Sequence, residues 1–353
     1  MDNKIQLAFA ATNQYVAKAI PENKSVELRG FKFFAWGNDN KYPEFLYRLF
    51  LNSPTLQSII QGTTDYVMGN EITGNAPNPY EELEDVLSKV ISDYLIYGVG
   101  YINVVRNIQG KPQEFYWLDA RKMRSNEDNT VFFMSEDWSK SYGRVKTVVL
   151  PKYVKNGVDA SSVVMIKTPL SRSTYPTPLW NSAIKPATTE CEISSFHLNE
   201  IVNNFAASAI INFNNGQPTD EQKDEIEKSI NDKFTGSENA GRFLLSFNDN
   251  KDNQTTIARL STDNYADRYN SLEKSVRQSL FTAFRANPNL FGIPTENLGF
   301  SQEEYEGAFK LFNRTVVRPI QKTIARELAK IGWNITIQPF TLQDNNNETN
   351  IAE

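Results

Sequence analysis

Residues that could do chemistry are few. Among 353 residues there is one histidine, His197, and one cysteine, Cys191. A thiol less than two helical turns before an imidazole has the residue types of a cysteine nucleophile and its base. Both fall on one long helical pattern, with no strained turn or oxyanion donor beside them. A buried structural thiol and a helix-face imidazole are therefore the simpler reading. A lone histidine without a cysteine pair cannot complete a zinc site. No GxxxxGK[ST] run occurs, which argues against phosphate-loop chemistry. Gly98 and Gly100 give only G-x-G behind a helical pattern, which is a turn. The runs Glu81, Glu82, Glu84, Asp85 and Glu303, Glu304, Glu306 sit at helix starts, where the positive helix end favours carboxylates. They read as solvated first turns. The expectation is no catalytic residue, no metal and no cofactor. An enzyme with an unrecognised carboxylate site stays as an alternative.

The elements that carry Cys191 and His197 organise the chain. Pro178 suits a first helical position, and behind it Ile193, Phe196, Ile201, Phe205 and Ala209 recur at helical spacing. Pro186 either kinks this helix or marks its true start. Residues 210–213 are β-biased. Thr219 and Gln222 then form a capping box, with Asp220 and Glu221 in the first turn. Ile226, Ile230 and Phe234 share a face, and Gly236 stops the helix. Residues 242–247 and 255–260 read as strands. The insert is thus β-α-β-β. A second long helix, 264–286, carries Tyr269, Leu272, Val276, Leu280 and Phe284. The segment 287–300 (NPNLFGIPTENLGF) holds two Pro and two Gly and cannot be a regular helix. A third helix, 301–331, has Tyr305, Phe309, Phe312, Val316, Ile320, Ile324 and Leu328 in a stripe, and Pro319 should bend it.

Composition bounds the rest. The length allows one large domain or two or three smaller ones. Net charge is -5, with Lys+Arg 37 against Asp+Glu 42. That argues against wholesale electrostatic binding of nucleic acid, yet not against letting DNA pass. A single cysteine forms no internal disulfide and fits a reducing compartment. The first residues lack the apolar run of a signal peptide, and no run reaches membrane-spanning length.

In chain order, residues 1–50 read as irregular, with FKFFAWG (31–37) leading into a turn at 38–43 and a short helix at 44–50. Ser53 is a good N-cap with Pro54 at the first helical position. That helix carries Leu56, Ile59, Ile60 and Tyr66, and Gly69 ends it. Residues 80–97 form a clear helix closed by Gly98 and Gly100. The period then becomes strand-like at 101–106, 114–118, 130–134, 144–150 and 163–167. Residues 53–170 are thus an α+β unit, helices first, with a mostly antiparallel sheet. Residues 168–177 are a linker, and 343–353 are polar and expected to be disordered. The second and third long helices are mildly basic. Arg314, Arg318 and Lys322 lie four apart on one face. The default is a solvated face. The alternative is a face that meets phosphates or an acidic neighbouring subunit.

Several stretches, in order, carry a family likeness: FAWGNDNKYP (34–43), MGNEI (68–72), YGVGYINVVRN (97–107), WLDARKMR (117–124), YPTPLW (175–180), NAGRFLLS (239–246), AFRANPNLFG through FSQEEY (283–305) and FNRTVVRPI (312–320). With these the chain resembles the portal (connector) proteins of tailed double-stranded DNA bacteriophages. The family's Val-Pro-Pro-like step is here shared between 287–289 and Ile293-Pro294. The resemblance implies a wing at 1–177, stem helices at 178–208 and 264–286, a clip at 209–263 and a tunnel loop at 287–300. It implies a long helix at 301–331 and a short crown remnant or disordered tail at 332–353. The loop would turn Asn289, Leu290, Phe291, Gly292, Ile293, Thr295, Glu296 and Asn297 to the DNA. The clip would offer Asp220, Glu221, Asp224 and Glu227 for docking. Implied partners are further copies in a ring of about twelve, double-stranded DNA in the channel and the terminase large subunit. A major capsid or scaffolding protein and a head-completion adaptor are also implied, with no membrane. The implied place is a capsid vertex of the virion, with assembly in the host cytoplasm. A head-tail adaptor or another structural ring is the alternative.

Overall fold

Ser53 sets the first helical corner. Its hydroxyl accepts a bond from the Leu56 amide, and Pro54 follows as the first residue of helix α2 (Pro54–Met68). Helix α1 (Tyr42–Asn52) runs up to that cap. In the computed structural model, the residues described are 24–139, 146–169, 173–202, 210–213, 219, 221, 244–247, 265–293 and 302–341. They fall into two compact units, one of residues 1–188 with 276–353, the other of 189–275.

In the first unit three helices precede most of the strands. Helix α3 (Leu83–Tyr97) closes on Gly98, which takes a left-handed conformation. The helix begins three residues later than its periodicity predicts. Asn78 explains the delay, because its side-chain oxygen accepts from the Tyr80 and Glu81 amides and holds that stretch as a turn. Gly100 does not close the helix. It lies in strand β4 (Val99–Arg106), and a Cβ there would come within 2.9 Å of the Val90 carbonyl oxygen. The glycine lets β4 lie close against α3.

The strands form two larger antiparallel sheets rather than one. β4 sits between β5 (Pro112–Leu118) and β9 (Ser161–Lys167). The other sheet runs β1-β2-β6-β7-β8. Its β7 (Val131–Ser135) and β8 (Thr147–Pro151) match the strands expected at 130–134 and 144–150, and β6 (Met123–Ser125) is a short strand beyond those expected. Its first two strands, β1 (Ser25–Leu28) and β2 (Phe31–Phe34), form a hairpin where irregular chain is expected. Arg29 and Gly30, both at positive φ, make the turn. The alternation is short and Phe-rich, and only Phe33 is fully buried, so its strand signal is weak.

The C-terminal part also differs from expectation. Trp333 is fully buried and stacks on Phe115 at 4.7 Å. Residues Ile335–Gln338 form β12, antiparallel to β3 (Glu71–Gly74). Residues 332–341 are therefore part of this unit's fold rather than a tail, while 342–353 lie outside the described residues. The long third helix is broken in two, α6 (Gln302–Phe312) and α7 (Arg318–Lys330), joined by a π-helical turn at Asn313–Val317. Pro319 cannot donate to an i−4 carbonyl. The Arg318 amide reaches Asn313, five residues back, so the wide turn immediately precedes the proline. The turn also serves the apolar stripe. Its steps are mostly of four residues, each drifting about 40° on an α-helix. The extra residue in the π turn brings Val316, Ile320, Ile324 and Leu328 back onto the buried side.

Helix α4 (Ile184–Val202), which begins in the first unit and continues in the second, follows a 3₁₀ turn at Asn181–Ala183, so Pro186 marks a helix start rather than a kink. Helix α5 (Tyr265–Phe284) matches the second long pattern. Phe196 stacks on Tyr269 at 5.1 Å, with the His197 ring edge-on to the same tyrosine. Strands β10 (Ile210–Phe213) and β11 (Leu244–Phe247) pair in parallel. The expected helix at 219–234 and strand at 255–260 lie outside the described residues, except Thr219 and Glu221.

Candidate functional site

The sequence motifs converge on a structural network. Trp36 stacks flat on Tyr175, 4.6 Å apart and 5° from parallel. The Tyr175 hydroxyl donates to the Phe34 carbonyl at 2.6 Å and accepts from the Ser125 amide at 2.8 Å. Asn40 accepts from the Trp36 amide and from Arg124 Nε through one side-chain oxygen. Arg124 is fully buried and also donates to the carbonyls of Asn40, Arg121 and Met123. Trp180 donates to the Leu95 carbonyl at 3.0 Å. Three stretches far apart in sequence, 34–43, 117–124 and 175–180, thus hold one another. Their polar groups are spent on structure.

Beside this network is a buried carboxylate that sequence reasoning did not single out. Asp93 Oδ2 accepts from Trp117 Nε1 at 2.8 Å and from the Ala120 amide at 3.1 Å. Burial, with the nearby charge of Asp119, pushes its carboxyl up to about 8, while those two hydrogen bonds and Arg121 pull the other way. Asp119 is itself held by a bidentate pair with Arg121, which lies over the Tyr47 ring at 4.2 Å. The signal in sequence was available: Asp93 sits among the apolar positions of α3.

Among the described residues no group of three His, Cys, Asp or Glu side chains is placed to hold a metal. Cys191 is buried, and burial together with Glu190 and Glu192 pushes its thiol up to about 12. A thiol so placed is a poor nucleophile at neutral pH. Glu81 pairs with Lys89 at 2.9 Å, and Glu82, Glu84 and Asp85 are exposed.

The segment after α5 is anchored rather than free at its start. Pro288–Phe291 is a 3₁₀ turn capped by the Asn287 side chain. Leu290 is buried, and its carbonyl accepts from the Tyr66 hydroxyl at 2.8 Å. The Phe291 ring packs edge-on against Tyr66 and Phe312. Gly62 makes room for it, since a Cβ there would lie 2.8 Å from that ring. Leu290 is thus buried, and Phe291 half-buried, against an aromatic socket around Tyr66. Asn289 and Ile293 are half-buried and Gly292 is exposed. Thr295, Glu296 and Asn297 lie outside the described residues, as do Asp220, Asp224 and Glu227. Glu221 is exposed.

Arg314, Arg318 and Lys322 are all exposed along α7 and the turn before it. None has an ion-pair partner among the described residues. No described helix is long and apolar enough to cross a membrane.

Comparison with known proteins gives these arrangements a family. An uncharacterized protein of Rickettsia bellii (strain RML369-C) is 23% identical over 276 residues, 75% of this chain and 66% of that relative. The match thus spans less than two thirds of the relative's length. Among solved structures, a chain of the native gene transfer agent virion aligns with TM-score 0.55 at 18% identity, covering 84% of this chain and 83% of that one. A chain from the neck of the native gene transfer agent particle, computed with C12 symmetry, aligns at 0.52 and 16%, covering 83% and 84%. An HK97-family phage portal protein from Corynebacterium diphtheriae aligns at 0.51 and 11%, covering 83% and 94%. At these identities the likeness is one of fold. The phage portal protein family model matches residues 70–343. That span is most of the chain and includes strands β3 to β12, both long helices and the anchored turn, and on it the chain belongs to the phage portal protein family.

Proposed function

We propose that this chain is the subunit of a portal ring at one capsid vertex, through which double-stranded DNA enters during packaging and leaves at infection. The observation that carries the reading is the family match over residues 70–343. In this reading residues 1–177 are the wing, 178–208 and 264–286 the stem, and 209–263 the clip. The segment past Gly292 is the part of the tunnel loop that meets DNA. A ring of about twelve copies is supported by the C12 symmetry of a neck whose chain shares this fold. Ring closure uses one face of each copy against a different face of the next. A net charge of -5 suits a channel that passes DNA without gripping it. The clip docks the terminase large subunit and later a head-completion adaptor. The wing meets the capsid or scaffolding protein. Assembly takes place in the host cytoplasm, and no catalytic step belongs to the chain.

Negative-stain electron microscopy with mass photometry tests this. Rings with a hole wide enough for a DNA duplex are expected. A chain that stays monomeric in the presence of its capsid partners would overturn the proposal.

A further inference from the structure

The exposed face around Arg314 carries more than charge. Leu311, one turn before Arg314, is 64% exposed. Phe309, Phe312 and Val316 are buried on the opposite side of the same helical stretch. A leucine left uncovered beside three unpaired cations is a poor design for phosphates. It is a good one for a protein, where an apolar knob anchors and the cations set register. From Leu311 to Lys322 the face is about 16 Å long.

The same unit holds a groove of matching kind. It has a volume of about 510 Å³, and one wall is a face of α2 running from Pro54 to Asp65. That wall is also about 16 Å long. The small Ser58 leaves room on it for a helix ridge to settle, and Gln57 and Gln61 offer carbonyls. Its floor is apolar, made by Phe291 and Phe340. Asp65 stands at its end, exposed and with no ion-pair partner among the described residues. Burial by the groove raises its carboxyl above the usual range.

The face cannot fill the groove of its own copy. Phe309 and Phe312 of the same helix are already packed against Tyr66, so Leu311 and Arg314 point away from it. We propose that the Leu311–Arg314–Arg318–Lys322 face of one copy docks in the α2 groove of the next, with Leu311 on the Phe291–Phe340 floor and Arg314 on Asp65. This is a heterologous contact, the kind that closes a ring. Arg318 and Lys322 then lie along Gln61 and Gln57. The inference rests on the portal reading and names one of its ring contacts.

The test is a charge-exchange cycle on the full chain. Asp65→Arg and Arg314→Asp are made singly and together, and ring formation is followed by mass photometry, with wild-type rings as the control. Each single variant should raise the concentration needed for half assembly at least about tenfold, and the double variant should recover most of that loss. Both sites are exposed, so circular dichroism should show every variant folded. In parallel, Gln61→Cys with Arg318→Cys in one chain should give a disulfide ladder of copies, while either cysteine alone should not. Single variants that assemble like wild type, a double variant no better than the singles, or no ladder would each overturn the inference while leaving the portal reading in place. Intact rings from Arg314→Asp that package DNA poorly would assign the face to DNA instead. A wild-type chain that forms no rings under any condition would remove the portal reading, and this contact with it.

Discussion

Asp93 should make the stability of the first unit depend on pH in a direction opposite to that of most carboxylates. Its carboxyl is pushed from 3.8 up to about 8 in the folded chain by burial and by Asp119. The folded state therefore binds this proton more tightly than the unfolded state. The resulting stability is fully present below the unfolded value and is lost as pH rises through the folded value. Across that window the loss is about 1.4 kcal/mol per pH unit, so roughly 3 kcal/mol disappears between about pH 5 and about pH 7. Asp93→Asn keeps an oxygen for Trp117 Nε1–H and the Ala120 amide but cannot ionise. Guanidinium unfolding followed by tryptophan fluorescence, at steps across this range, compares the two. The difference curve, variant minus wild type, should climb with that slope in favour of the variant and flatten above about pH 9. Trp117 touches the carboxylate and reports locally. Parallel curves would refute the reasoning, because they would mean that Asp93 ionises alike in both states.

Gly62→Ala should destabilise by about 1–3 kcal/mol through overpacking against Phe291, and adding Phe291→Ala should cost less than the sum of the two singles if that ring is the obstacle. Denaturant melts of the four chains decide it. Cys191 should react with a thiol reagent at pH 8 only as fast as its surroundings unfold, so labelling should rise with denaturant. Immediate stoichiometric labelling in buffer would contradict its raised, buried thiol. Ser53→Ala should cost about 1 kcal/mol by removing the cap of α2, measurable as a shift in denaturation midpoint without a change in slope.

Much of the fold was legible because its signals are local. Ser53 with Pro54, Gly69 and Gly98 mark helix ends by chemistry that acts within a turn. Strands of Val, Ile and Phe after residue 98 announce themselves likewise. What was missed depends on partners far along the chain. β12 is legible as a strand only once β3, over 260 residues earlier, is beside it. Leu290 and Phe291 read as loop residues until Tyr66 reaches over to hold them. The π turn needs both Pro319 and the buried stripe to explain it. The family likeness was legible in the same region: Trp36, Asn40, Arg124 and Tyr175 are locked in place by ring stacking and hydrogen bonds. A surface that works by meeting another copy has no such internal bookkeeping. The side chains of Arg314, Arg318 and Asp65 have no ion-pair partner among the described residues, so sequence spacing could mark a charged face but not what it faces. Leu311 decides between phosphate and protein only when its exposure is known. The proposed contact therefore draws on residues that folding leaves exposed, and such residues are best sought where an apolar side chain and a charge lie uncovered together.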